Sequence, residues 1–188
     1  MTVPTHDPSP FVPEPARFAT AFTIITTLIE TRYGLPVDVD DVPAPFTGDL
    51  DGERILVDDE LSSEDALFIV AHLFGHTVQW NTNPGERELG ALAVKDPSEA
   101  LLGQLGDYER RAAGFAMQLF HEAGIRDLDQ WLSDYSACDI TYLLGFYRTG
   151  VKEPFRSCWR NATPIILPVP IPEFRPIRWV SRNGGVVI

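Results

Sequence analysis

The chain predicts an α+β fold of one domain. A long segment of helical periodicity comes first, two short extended segments follow, and several helical segments run after them. That order suits a small sheet with helices gathered on it better than a doubly wound parallel sheet. At 188 residues, with 44% hydrophobic and 22% charged residues, the chain can fill one core and is short for two.

The elements follow in order. After a polar, proline-rich opening, ARFATAFTIITTLIETRYG repeats apolar residues at helical spacing and ends in Gly34, which predicts a helix from about Pro15 to Tyr33. LPVDVDDV and ERILVDD read as two strands, and PAPFTGDLDG between them reads as a turn region from its Pro, Gly and Asp content. Ser62 and Ser63 ahead of Glu64 and Asp65 mark a helix start, and the segment to about Trp80 is apolar on every side between Ala66 and Phe74. Such a helix is expected at the centre of the core.

Asn81 to Gly85 is expected to end that helix, and a polar, irregular stretch to reach Lys95. Asp96-Pro97-Ser98-Glu99 then predicts a long helix, with proline in its first turn, running to Gly124. DLDQWLSD and SACDITYLLGFYRT read as two further helical pieces, the second closed by Gly150. From Val151 the closely spaced prolines of TPIILPVPIPEFRPIRWV exclude a helix, while the interleaved Ile, Val, Phe and Trp are costly to leave in water. The expectation is an extended arm, residues 151–188, packed on the domain of residues 1–150 or on a neighbouring copy.

Charge narrows the function. A net charge of -12 repels polyphosphate, so no nucleic-acid partner is expected; a peptide, a protein or a small molecule suits the surface better. Acids dominate the first 70 residues and bases the region after Val151, so the basic tail either lies across the acidic body or both are solvated. The N-terminus has neither the basic start nor the apolar run of a signal peptide, and no stretch is apolar for long enough to span a bilayer. The expected location is cytoplasmic, with no membrane partner. Cys138 and Cys158 allow a disulfide without demanding one.

The residues that carry chemistry lie in AHLFGHTVQW. His72 and His76 stand four apart and share one helix face, the arrangement a single metal ion requires of a helix. Gly75 between them permits a close backbone approach. The alternative is a pair of neutral core histidines, each with its own hydrogen-bond partner. A third ligand is available in YERRAAGFAMQLF, where Glu109, Ala112, Phe115 and Ala116 form the pattern ExxAxxFA; alternatively Glu109 pairs with Arg110, Arg111 or solvent.

An HxxxH helix after small strands, followed by a helix reading ExxAxxFA, resembles the ImmA/IrrE group of HExxH metallopeptidases over residues 15–122. The resemblance implies a zincin-like fold and zinc held by His72, His76 and Glu109. The departure is at the catalytic centre: the glutamate that follows the first histidine in HExxH is Leu73 here. Leu73 cannot take a proton from metal-bound water, and that help is typically worth about a hundred- to ten-thousandfold in rate.

Three functions remain open. The first is a metal-binding relative, most simply of zinc, that has lost proteolysis. The second is a hydrolase with another base, from Asp58 to Glu60 or from Asp107. The third is an oxidative enzyme with iron(II) on a facial triad of two histidines and one glutamate. His121 lies about 18 Å along its helix from Glu109 and is expected to stay apart, as is His6. Tyr108, Tyr135, Tyr142 and Tyr147 are core residues or oxyanion donors. The four tryptophans are expected to be packing anchors. The arm from Val169 to Val180 is expected in or beside the cleft, or across a second copy as a homo-oligomer contact.

Overall fold

A computed structural model describes residues 13–43, 46–92, 94 and 96–179. The expectations for the N-terminal opening, His6 and Val180 fall outside these residues.

The architecture is α+β, with five α-helices and one three-stranded sheet among the described residues. Helix α1, Pro15–Tyr33, has proline in its first turn and ends on Gly34 at φ 62°, the left-handed cap its sequence predicts. Phe18, Ala21, Ile25 and Ile29 form its buried stripe. Strands β1, Val37–Asp40, and β3, Ile55–Asp58, run parallel. A third strand, β2, Gly48–Leu50, lies antiparallel on the other side of β3. The sequence predicted only turn here. Three residues are too few to show a period of two, and all three are buried, so no polar face alternates with an apolar one.

Helix α2, Ser63–Thr82, is capped by the Ser62 side chain, which accepts from Asp65 N–H. It is buried from Leu67 to Trp80 apart from His72, and packs between α1 and α4. Two expectations fail after it. Asn83 does not open an irregular stretch: it caps a short helix α3, Pro84–Gly90, by accepting from Gly85 and Glu86 N–H. No residue of α3 is buried, so the hydrophobic periodicity that would have revealed it is missing. Helix α4, Glu99–Glu122, starts after Pro97, with Ser98 rather than Asp96 as its cap.

The two expected C-terminal pieces are one helix, α5, Asp129–Thr149, closed by Gly150 at φ 69°. Ser133, Asp134 and Ser136 look like a break in sequence, but all three are buried inside this helix. A 3₁₀ turn, Phe155–Cys158, follows. Cys138 and Cys158 are both free thiols. No helix among the described residues is long and apolar enough to cross a membrane.

From Trp159 to Trp179 the chain has no regular element and runs over its own domain. Asp134 holds its start, accepting from Ala162 N–H and from the Thr163 N–H and hydroxyl. Val169 N–H donates to Gly114 O, and Phe174 stacks on Tyr33 at 5.9 Å. Trp179 N–H donates to Asp51 O, and its indole N–H donates to Asn81 Oδ1. Arg156 pairs with Glu64 and Asp65, and Arg178 with Asp51 and Glu53, so basic residues after Val151 do meet acids of the first 70.

Candidate metal centre

The centre is built where α2 crosses α4. A Cβ added to Gly75 would stand 2.3 Å from Ala112 O, so the two backbones touch at a point where any side chain is excluded. His76 follows Gly75 directly, His72 lies one turn earlier on the same face, and Glu109 lies one turn before Ala112. The crossing therefore brings all three predicted site residues together, with Glu109 only 7% exposed.

His76 Nε2 lies 3.1 Å from His72 Nε2 and 3.1 Å from Glu109 Oε2, and His72 Nε2 lies 3.8 Å from the same oxygen. The three form a buried group that can hold a metal ion. A tetrahedral zinc with bonds of about 2.0–2.1 Å has ligand atoms about 3.3 Å apart, a value these three edges straddle.

The surroundings fix the proton on one ring. Gln79 Nε2 donates to Tyr108 O, which leaves Gln79 Oε1 as an acceptor 2.7 Å from His76 Nδ1. His76 therefore carries a proton on Nδ1 and, when neutral, turns a lone pair on Nε2 toward the centre. Glu109 Oε2 faces the same point as an acceptor, and His72 Nε2 does so in the tautomer that carries its proton on Nδ1. In that tautomer three acceptors surround one point and a metal ion satisfies all of them, whereas a proton on His72 Nε2 would satisfy His76 Nε2 without one.

Burial and then the charge of His76 pull the His72 pKa down to about 3, which keeps that ring neutral and available as a ligand. Burial alone would raise Glu109, but a proton on His76 and the hydrogen bond from it outweigh burial and hold the carboxyl below its usual range. The His76 ring stacks on Tyr108 at 4.6 Å and His72 on Phe68 at 5.4 Å.

A cavity of about 50 Å³ opens on the three residues, and Leu50, Leu89, Leu92 and Leu143 are among the side chains that wall it. At about 10–15 Å³ for each water it takes only a few. Leu73 does not line it. That side chain is fully buried on the other face of α2, with Cδ1 2.9 Å from where a Cβ on Gly48 would be. Neither expected substitute base lines it either. The Asp107 side chain is 78% exposed and pairs with Arg110, and Asp58 accepts from Glu60 N–H in the turn before α2.

His121 stays apart, paired with Asp129. Of the tyrosines, Tyr108 and Tyr147 line the cavity, while Tyr135 donates to Asp65 and Tyr142 packs on Phe155. The Trp159–Trp179 segment is not among the residues that line this cavity, so of the places expected for the arm, in the cleft, beside it or across a second copy, it does not take the first. One residue near the centre escaped the sequence reading: Asp139 of α5, 7% exposed, with Oδ2 3.9 Å from His72 Nδ1. Burial, and then the charge of Glu109, hold its pKa well above the usual carboxyl value. Its signal was a single acid in the apolar run between Ala137 and Tyr147.

No protein-family model, curated protein or solved structure matches the chain.

Proposed function

We propose that this is a metal-binding protein, with zinc held by His72, His76 and Glu109, that does not act as an ordinary peptidase. Its motifs fit a cytoplasmic, zincin-like relative of the ImmA/IrrE metallopeptidases in which the HExxH glutamate has become Leu73. The observation that carries the metal is the convergence of two imidazole Nε2 atoms and one carboxylate oxygen on one point.

The orientation of Leu73 supports the loss of proteolysis, because the position that supplies the base in HExxH packs instead into the core against β2. Zinc in such a site supplies a Lewis acid and, with it, electrostatic binding of one anionic or carbonyl oxygen. The protein's own residues would orient that group: His72, His76 and Glu109 from one side, the leucine walls by excluding water. The partner is then a peptide or protein segment held without cleavage, or a small molecule.

The cavity favours one second reading. Its small size suits iron(II) on the same two histidines and glutamate, with room for a diatomic ligand.

Elemental analysis of protein prepared with and without air, beside His76→Ala and Glu109→Ala, tests both. About one zinc per chain, lost in both variants, is the expected result. Iron in the anaerobic preparation would select the oxidative reading. Absence of metal from every preparation, with the variants equally stable, would make the histidine pair core architecture.

A further inference from the structure

We infer that Asp139 is the positioning residue for His72, closing a hydrogen bond to His72 Nδ1 when metal occupies the centre; this rests on the metal reading above. The two histidines are unequally held. His76 Nδ1 already donates to Gln79 at 2.7 Å, which fixes both its ring and its tautomer. His72 has no such bond. Among the described residues, the polar atom within reach of its Nδ1 is Asp139 Oδ2 at 3.9 Å, about 1 Å beyond a hydrogen bond.

Asp139 reaches this place from α5, a helix that supplies no ligand. The residue is buried, and among the described residues His72 is its only hydrogen-bonding or ion-pair neighbour within 4.0 Å. A buried carboxyl without a partner is costly, so such a residue gains from a bond formed on loading. It has room to form one: it also lines a cavity of about 400 Å³ between α2, α5 and the 3₁₀ turn, so its carboxyl can rotate. A carboxylate accepting from the far nitrogen of a ligating imidazole fixes the ring and raises its basicity.

The test is a Zn²⁺ competition titration against a chromophoric chelator, with Co²⁺ as a spectroscopic substitute, on the full chain, Asp139→Asn and Asp139→Ala. Asp139→Ala is expected to weaken Zn²⁺ about ten- to a hundredfold and to shift the visible Co²⁺ bands. Asp139→Asn, whose amide oxygen can still accept from Nδ1, is expected to recover part of the affinity. A purely structural carboxyl would move the melting temperature of the metal-free chain and leave the increment produced by metal unchanged. Affinities of both variants within about twofold of the parent, with the same Co²⁺ spectrum, would overturn the inference. If Asp139→Ala does not fold, Asp139→Leu, which likewise cannot accept from Nδ1, decides by the same criterion. Failure of the parent chain to bind either ion would instead overturn the metal reading, and this inference with it.

Discussion

Gly75→Ala places one methyl group at the crossing that makes the centre. The added Cβ would sit 2.3 Å from Ala112 O, 2.8 Å from its carbonyl carbon and 2.9 Å from its Cα. An ordinary contact begins at 3.4 Å, so α2 and α4 must part by about 1 Å. All three contacts are backbone, and no rotamer change relieves them. Overpacking of this kind costs about 3 kcal/mol at the upper end of its usual range, and the better helix propensity of alanine returns about 1 kcal/mol. The net loss is about 2 kcal/mol, or a fall of about 4–8 °C in melting temperature for a chain of this size. Glu109 moves away from both histidines in the same displacement, so metal affinity falls with stability. Urea unfolding in chelator, followed by Zn²⁺ titration of the folded variant, reads the two effects separately. A variant as stable as the parent and equally tight for metal would show that the helices are not in contact here and that the crossing does not set the site.

Three other perturbations have definite outcomes. Leu73→Glu is expected to restore no peptidase activity and to cost about 3 kcal/mol or more, because a carboxylate would be buried against Gly48, Ile69 and the core rather than facing the metal; cleavage of any peptide by this variant, abolished by chelator, would contradict that orientation. In the metal-free chain, the lowered pKa of His72 means that the unfolded state takes up a proton first as pH falls. The stability owed to the neutral ring is fully present above about 6.5 and is lost as pH falls toward about 3. Asp139, raised, works in the opposite sense, its contribution being lost as pH rises through its elevated value. Urea midpoints across this range should fall less steeply in His72→Phe, and an unchanged slope would remove His72 as the cause. Asp134→Ala deletes the acceptor of three bonds from Ala162 and Thr163 and should cost about 2–3 kcal/mol and expose the following segment to limited proteolysis, a result that unchanged cleavage kinetics would refute.

Much of the fold was legible because its longest elements repeat a pattern many times. The α1 stripe, the Ser62 cap, the all-round apolar α2 and the Gly34 and Gly150 stops each follow from local chemistry. The failures have local causes too. Strand β2 is too short to show a period, and α3 buries nothing and so shows no stripe. In α5, Asp134 is inside the helix because its carboxyl is satisfied from Gln130 and from a segment about thirty residues later.

At the centre, the sequence by itself determined that His72 and His76 share a face and that Leu73 cannot act as a base, since both follow from helix geometry and side-chain chemistry. It also offered Glu109 as a third ligand without fixing its distance. Only the tertiary structure decided that distance, through the contact of Gly75 with Ala112, and only it placed Leu73 against β2 and Asp139 beside His72. The division has a physical reason. A helical period specifies which residues point the same way, whereas convergence of groups from α2, α4 and α5 depends on how closely three backbones pack, and between α2 and α4 one missing Cβ controls that closeness.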